Sequence, residues 1–302
     1  MSTITTGAHP KALYPGIHAW FGVKYKEYGD LWTKLFEVRK SNRNYEELVQ
    51  HYGFGLVPVK PENTASVYQG QSQGPTSRGT NVAYSLGYIV TKEEVDDNLY
   101  AEVAMSRASS LAFSAHQTRE NVAANVYNRA FNSAYVGGDG VELLSTAHPS
   151  NAGNQSNELA VAADFSEASL EDLCIQMMNA KNADGLNISL TPKCLIIPTA
   201  LKFEAQRVLK SLGRVGSADN DINAVNSLNV IPEVVVNPYL TDSDAWFVKA
   251  NGVTDGLIWF DRKPIEFSKD SDFDTDNFKH KMYMRFVPMW GDWRQLYGSA
   301  GA

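Results

Sequence analysis

The sequence has little of several features that commonly indicate a function, and cysteine is the first of them. The chain of 302 residues holds only Cys174 and Cys194, each in apolar surroundings where a thiol usually behaves as a small core hydrophobe. Neither has another Cys or a His nearby, so the usual four-ligand zinc site is not expected. A disulfide is not expected either, because the chain is predicted to stay in a reducing compartment.

Long hydrophobic runs and clusters of one charge are also missing. No window approaches ~18 consecutive apolar residues, so no transmembrane helix is expected. The start of the chain lacks the basic and apolar regions of a secretory signal, which predicts a cytoplasmic protein. The 34 acidic and 27 basic residues give a formal net charge of −7, without a run of Lys and Arg. Sequence-specific binding to duplex DNA is therefore not indicated.

No constellation of catalytic or cofactor-binding residues stands out. Four aspartates alternate in "DSDFDTD" (residues 270–276), but Thr275 and Lys281 stand where an EF-hand loop needs Gly and Glu. His148 follows Ser145 closely, yet residues so near in sequence rarely reach the geometry of a catalytic pair, and the chain has no G-x-S-x-G motif. We expect a solvated aspartate loop, a structural histidine, no cofactor, no metal and no enzyme activity.

What the first part of the chain does contain predicts extended arms. Residues 1–40 hold scattered Gly, Pro and aromatic residues without a sustained period, which favours an extended segment, and "NYEELVQH" (44–51) favours a short helix. Turn formers in "SQGPTSRG" predict a long hairpin with a polar tip near residues 70–80. An isolated hairpin is marginally stable in water, so it should need a partner surface. The strand-like runs of this region lie at residues 55–60, 65–71 and 81–90.

A very long helix should follow the hairpin directly. Thr91 and Glu94 form a capping box, and further acids crowd the first turns near the positive end of the helix dipole. Neither Gly nor Pro occurs over residues 88–136, and the Gly pair at 137–138 predicts the end of the helix. Forty residues of helix would span about 60 Å. The Ala and Ser in its middle would let other backbone approach closely.

The second half of the chain has the pattern of a compact α/β unit followed by an aromatic β region. Apolar residues at helical spacing predict a helix over residues 168–182. The aromatic residues of the last block are expected to pack in a core, because alternation on strands buries them. These are Tyr283, Phe286, Trp290, Trp293 and Tyr297. Further elements are predicted at 193–198 (strand), 199–211 (helix), 229–236 (strand) and 245–250 (strand).

This order of elements resembles the major capsid proteins of tailed bacteriophages, which have the Hong Kong 97-type fold. Four segments are similar to the Mu-like major head subunits: "YSLGYIVTKEEVDDNLY", "LLSTAHPSNAGNQSN", "KCLIIPTALKFEAQRVL" and "AWFVKANGVTDGLIWFDRKPIEF". The resemblance implies an α+β chain with a spine helix, a P-domain sheet and an α/β A-domain. Its segments are the N-terminal arm (1–44), the E-loop hairpin (45–90), the spine helix and P-domain (91–160), the A-domain (161–250) and a return to the P-domain (251–302).

The resemblance also implies a function and partners. The chain would be a structural protein of the virion, assembled in the host cytoplasm as pentamers and hexamers of an icosahedral head around double-stranded DNA. A separate scaffolding protein, a portal and a decoration protein are the implied partners, besides weak contacts to DNA. Some family members crosslink through a Lys of the E-loop, but Lys60 lies near the base of the loop, so we expect no crosslink. The candidates for contacts between subunits are Lys60, Tyr68, Gln71 and Arg78.

Other protein classes remain as alternatives at this point. An encapsulin-like nanocompartment would share the fold and enclose cargo enzymes instead of a genome. An α/β enzyme with a helical insertion would need a concave pocket with convergent ionisable groups. A tail or baseplate protein would show a β-sandwich or coiled-coil pattern instead of one long helix.

Overall fold

The structure is a computed structural model. It describes residues 10–96, 100–213, 221–272 and 276–302, without the side chains of residues 10–17, 95–96 and 100–104. The helices are α1 (Pro10–Glu27), α2 (Trp32–Leu35), α3 (Lys92–Asp96), α4 (Tyr100–Asn128), α5 (Glu167–Met178), α6 (Lys202–Lys210) and α7 (Ala224–Ser227). The strands are β1 (Glu37–Lys40), β2 (Tyr45–His51), β3 (Gln73–Thr80), β4 (Val82–Val90), β5 (Thr191–Ile197), β6 (Glu233–Val236), β7 (Trp246–Asn251), β8 (Leu257–Ser271), β9 (Phe278–Trp290) and β10 (Leu296–Ser299).

The first sheet has the strand order β1-β8-β9-β4. Strands β8 and β9 form a long antiparallel hairpin, β4 runs antiparallel to β9, and β1 runs parallel to β8. Alternate residues of β9 are buried (His280, Met282, Met284 and Phe286), as a strand with one face on the core requires. The opposite face of this sheet carries a smaller cluster that includes Ile258 and Met289.

The second sheet has the strand order β10-β7-β5-β6 and is buried on both faces. Leu195 and Ile197 of β5 pack with α5 and α6, whereas Cys194 and Ile196 face the main core that contains α4. A strand covered on both sides reads as a continuous apolar run, which is why "CLII" predicts it from sequence. The predicted elements β5, β6, β7, α5 and α6 are confirmed.

The long helix α4 packs on the rest of the chain through small residues. Its 29 residues span about 44 Å, and Ala108, Ala112 and Ala115 are fully buried. This close approach is the one expected from the Ala and Ser content of the segment. Helix α1 lies against α4, with Nε1 of Trp20 donating to Oγ of Ser109 at 3.0 Å. Among the described helices, none is both long and apolar enough to cross a bilayer.

The predicted end of the long helix at the Gly pair 137–138 is wrong, because α4 ends at Asn128. The side chain of Asn128 donates to the carbonyl O of Tyr239 at 3.2 Å and accepts from the backbone N of Thr241 at 3.0 Å. A tertiary contact therefore fixes the end of this helix, in the absence of any local stop residue. The continuous helix predicted from Thr91 corresponds to α3 and α4. Residues 97–99, which join them, lie outside the described residues.

Two predictions for the N-terminal region are also wrong. Helix α1 occupies residues 10–27, where an extended segment is predicted; residues 1–9 lie outside the described residues. Phe21 and Tyr25, four residues apart, stack on each other, and Phe21 also stacks on Phe267 at 4.9 Å, so the aromatic residues form one helical face. The predicted helix at 44–51 is strand β2, because its backbone pairs with β3 and this ladder outweighs the helix preference of Glu-Glu-Leu.

The predicted segment boundaries do not coincide with the sheets. Strand β1 lies in the segment 1–44 and β4 in the segment 45–90, yet both belong to the first sheet. Strand β10 lies in the segment 251–302 and belongs to the second sheet, where it pairs with β7. The last part of the chain thus returns to the first sheet with β8 and β9 and then crosses to the second.

Candidate assembly interface

The hairpin of β2 and β3 projects from the first sheet and carries an exposed segment at its far end. We call residues 45–80 the arm and residues 52–72, which form no strand or helix, its tip. The strands pair from Tyr45 opposite Thr80 to His51 opposite Gln73. The predicted strands at 55–60 and 65–71 are therefore wrong, and so is the predicted tip at 70–80, most of which is β3.

Strand β3 forms from residues that usually favour turns because packing and a bulge accommodate them. The register shifts between Val49 and His51, opposite Gly74 and Pro75, and a bulge is a place where a strand tolerates Pro. Gly79 sits so close to the first sheet that a Cβ there would lie 2.7 Å from a sulfur atom. The glycines that suggest a turn in the sequence thus allow a close approach of strands.

The tip exposes apolar side chains to an unusual degree. Every residue from 56 to 73 is exposed. Leu56, Val57, Val59 and Tyr68 keep 82%, 94%, 93% and 93% of their surface accessible. Isolated exposed apolar residues are ordinary, but several on one segment without a core of its own mark a surface that binds another protein.

The predicted contact residues divide into two groups. Lys60, Tyr68 and Gln71 lie in the tip and are exposed, so the predicted place of Lys60 near the base of the loop is wrong. Arg78 lies in β3, where its guanidinium stacks over the ring of Tyr45 at 3.7 Å and its Nε is 3.8 Å from a carboxylate oxygen of Glu47. The structure therefore places three of the four candidates in one exposed segment and engages the fourth within its own hairpin.

The base of the arm is held against the first sheet. Leu48 of β2 is buried in the small cluster formed by Ile258, Phe260 and Met289. Nε2 of Gln50 donates to the carbonyl O of Gly291 at 2.6 Å. These contacts fix the arm at its base, whereas residues 56–73 at its far end are all exposed.

A buried polar network marks the point where the chain leaves the arm and enters the first sheet. Nδ2 of Asn81 donates to Oγ of Ser41 and to the carbonyl O of Arg43, both at 3.0 Å. Nε of Arg285 donates to the carbonyl O of Asn81 at 3.2 Å, and the same guanidinium contacts the side chain of Asn44. Buried hydrogen-bonded polar groups fix one geometry, so this network sets the direction of the arm.

The loop after the long helix also touches the arm, through Gly138. Its backbone N donates to Oγ of Ser77 at 3.2 Å. A Cβ on Gly138 would lie 2.6 Å from the carbonyl carbon of Thr76, which leaves no room for any other residue. The Gly pair is visible in the sequence, but its contact with the arm is not, because that contact joins segments far apart along the chain.

The predicted cap of the long helical region is visible at Thr91 and Glu94. Oγ1 of Thr91 accepts from the backbone N of Glu94 at 3.3 Å, and a carboxylate oxygen of Glu94 accepts from the backbone N of Thr91 at 3.4 Å. Arg107 of α4 binds the same carboxylate with two hydrogen bonds, at 2.8 and 3.0 Å. The hydrogen bonds from Arg107 lower the pKa of Glu94. Sequence inspection missed Arg107 because it lies 13 residues after Glu94, about 20 Å along a continuous helix, so no spacing of neighbouring turns links the two.

The predicted structural role of His148 is confirmed. The ring is fully buried, stacks on Trp293 at 4.1 Å, and places Nδ1 2.7 Å from a carboxylate oxygen of Asp139. Its Nε2 is 3.1 Å from the side-chain oxygen of Asn157, so both ring nitrogens are engaged. Ser145 instead accepts from Ala147 N at 3.4 Å. The ring therefore ties a loop to the core.

Structural contacts and burial also describe the aspartates at 270–276 and the two cysteines. In the aspartate segment, carboxylate oxygens of Asp272 and Asp276 lie 2.6 and 2.8 Å from lysine Nζ atoms, while Asp274 lies outside the described residues. Both cysteines are buried and free, and burial raises the pKa of Cys174 to about 12 and that of Cys194 to about 11. Among the described residues, one group could hold a metal ion: Asp30, His116 and Glu120.

Comparison with known proteins gives a family and a fold. Residues 77–299 match the family described as Phage capsid protein, while no curated protein matches the chain. The chain is similar to the capsid of Myoviridae phage XM1, with 11% identity and a TM-score of 0.53 over 91% of this chain and 92% of that one. It is similar to Mycobacterium phage Patience (10%, TM-score 0.54, 98% and 88%). A virus-like particle from Pyrococcus furiosus is similar as well (10%, TM-score 0.51, 94% and 97%). Identities this low show the fold alone.

Proposed function

Because the chain belongs to the phage capsid protein family, we propose that its copies assemble as pentamers and hexamers into an icosahedral phage head around double-stranded DNA. The chain is a structural major capsid protein, and the Hong Kong 97-type α+β fold predicted from its sequence is confirmed. Family membership assigns it a structural role. The narrower assignment to the Mu-like head subunits stays a prediction.

The observation that best supports assembly is the arm. A tip with apolar side chains 82–94% exposed has no core of its own, while the base of the same arm is packed and hydrogen-bonded. Burying the tip against a neighbouring subunit would remove that apolar surface from water, and it would do so around a symmetric array. We assign Lys60, Tyr68 and Gln71 to this contact, and Arg78 to shaping the hairpin that presents them.

The two sheets suggest how the subunit divides into domains. We assign the second sheet with α5 and α6 to the A-domain, and the first sheet with α4 to the P-domain. Strands β1 and β4, from the segments predicted as the N-terminal arm and the E-loop, then belong to the P-domain. Strand β10, from the predicted return to the P-domain, belongs to the A-domain. These crossings of the chain join the two domains.

The proposed partners follow from the same role. A separate scaffolding protein, a portal and a decoration protein would complete the head, which assembles in the host cytoplasm and ends in the virion. The formal charge of −7 suits a wall that contacts packaged DNA weakly and without sequence preference. An encapsulin-like shell would share this fold, but the family match favours the phage head.

The experiment that tests the proposal changes the apolar surface of the tip alone. Leu56, Val57, Val59 and Tyr68 are replaced by Ser, and purified particles are examined by negative-stain electron microscopy and light scattering, after co-expression with the scaffolding protein. The variant should stay folded with an unchanged melting temperature, because these side chains are 82–94% exposed within the subunit, yet it should form no closed shells. A control variant carries Glu62→Ser and Thr64→Ser in the same segment and should assemble normally.

Two results would contradict the proposal. Closed shells from the apolar variant at the wild-type yield would show that the tip is not an assembly contact. A wild-type chain that stays monomeric with its scaffolding protein present would contradict the proposed assembly into a phage head.

A further inference from the structure

Three side chains with metal-binding atoms converge where the connection between α1 and α2 meets the long helix. His116 and Glu120 lie four residues apart on α4 and therefore project from one face. Nε2 of His116 is 3.5 Å from Oε1 of Glu120 and 3.8 Å from Oδ1 of Asp30, which comes from the connection. The donor atoms of the three residues all lie within 4.8 Å of one another.

Glu120 is an unusual residue to find at this place because its side chain is completely buried. Oε1 accepts from the backbone N of Leu31 at 2.7 Å and of Trp32 at 3.3 Å, which fixes the orientation of the carboxylate. Oε2 has no hydrogen-bond partner among the described residues. Removal from water raises the pKa of Glu120. A buried carboxylate with one oriented and one open oxygen is the arrangement that outer-shell hydrogen bonds give to metal ligands.

Within the described part of the chain, Asp30 and Glu120 pair with His116 and with no Lys or Arg. His116 is 5% exposed, its Nε2 is 3.1 Å from the carbonyl O of Gly29, and its Nδ1 has no partner among the described residues. Arg119, next to Glu120, instead lies over the ring of Trp32 and 3.6 Å from a carboxylate oxygen of Asp261. Buried carboxylates are stabilised by a paired cation or a metal, and a divalent ion would offset both acids of the cluster.

We propose that Asp30, His116 and Glu120 bind one divalent first-row metal ion, with zinc as the best match. Imidazole nitrogen and carboxylate oxygen are both common zinc ligands, at about 2.0–2.2 Å. Two such ligands at a tetrahedral angle are about 3.3–3.5 Å apart, close to the 3.8 Å from Nε2 to Oδ1 of Asp30 and the 3.5 Å to Oε1 of Glu120, whose carboxylate also carries the open Oε2. Water or the carbonyl O of Gly29 completes the shell. To bind the ion through Nε2, the neutral ring carries its proton on Nδ1, and the ligand bond replaces the contact of Nε2 with the carbonyl O of Gly29.

The position of the site gives it a structural role. Asp30 is 40% exposed, so an ion can enter from solvent, whereas the two ligands on α4 are buried. The bound ion would tie the connection between α1 and α2 to the middle of the long helix. It would therefore stabilise the folded subunit. The melting temperature should rise with the logarithm of the zinc concentration once that concentration exceeds the dissociation constant.

The test measures zinc bound to the unassembled full-length chain by equilibrium dialysis and elemental analysis, so its outcome does not depend on shell formation. Wild type should take up one tightly bound zinc ion per chain. Asp30→Asn should bind at least about tenfold more weakly, since ligand-shell changes typically cost 10–100-fold. Glu120→Gln keeps an acceptor for the two backbone N–H groups and should lose affinity similarly. Asp172→Asn, an exposed acid on α5, is the matched control and should bind like wild type.

Thermal melting and cobalt absorption distinguish a folded site from loose binding. Zinc should raise the melting temperature of wild type and of Asp172→Asn, and leave that of Asp30→Asn unchanged. Cobalt in wild type should show the visible absorption of a tetrahedral site. The inference is overturned if wild type binds no tight zinc, or if Asp30→Asn and Glu120→Gln bind as tightly as Asp172→Asn.

Discussion

Replacing Leu48 with Ala should release the arm from the first sheet while the rest of the subunit stays folded. A buried Leu→Ala change typically costs about 2–5 kcal/mol. Leu48 packs in a small cluster with Ile258, Phe260 and Met289 on one side of the sheet, so the lower end applies, about 2 kcal/mol. Because about 1.4 kcal/mol is a factor of ten, the fraction of molecules with an open arm should rise about 30-fold.

Hydrogen exchange of single amides measures this opening directly, since local and global unfolding expose different amides. Amides of β2 and β3 should exchange about 30-fold faster in Leu48→Ala, while those of β5 and β7 keep their protection. Val57→Ala is the matched control, because Val57 is an apolar residue of the same arm with 94% of its surface exposed. Equal acceleration in β5 and β7, or unchanged exchange in β2 and β3, would refute the assignment of Leu48 as the anchor.

Two other changes test the arm contact and a buried titratable group. Gly138→Ala forces a Cβ to within 2.6 Å of Thr76, so the melting temperature should fall, whereas Gly22→Ala, with open space around it, should leave it unchanged or higher. Burial lowers the pKa of His280 to about 4 from its ordinary 6.5. The unfolded chain thus takes up this proton first, and stability falls as pH drops from 6.5 toward 4, by at most about 3.4 kcal/mol. In His280→Phe, urea unfolding at several pH values should show a smaller loss over that range; an identical loss would contradict the assignment.

The sequence predicted the compact parts of the molecule better than its arms. The apolar run around Leu195 and the helical stripe of α5 belong to elements buried within one subunit, where local pattern and tertiary packing agree. In the arm they disagree. Glu-Glu-Leu favours a helix and Gly-Pro favours a turn, yet β2 and β3 pair with each other and pack on the first sheet. Pairing partners decide a strand, and they cannot be read from one segment.

The sequence predicted the kind of site, an exposed hairpin arm, but not the residues that anchor it. Lys60, Tyr68 and Gln71 were placed on a hairpin arm by sequence, and all three lie in its exposed tip, although Lys60 was predicted near the base of the loop. The anchors escaped notice because each joins distant segments: Gly138 to Ser77, and Arg285 to Asn81.

By itself, the sequence determined the α+β class, the order of arm, long helix and compact α/β unit, the capping residues Thr91 and Glu94, and the lack of a recognisable catalytic motif. These depend on composition and on neighbours along the chain, which local physical rules describe. Only the tertiary structure decided where α4 ends, which strands form the arm, how β10 crosses to the second sheet, and that Asp30 meets His116 and Glu120. Those outcomes depend on contacts between segments far apart in the chain, and their free energies appear only when the segments are brought together.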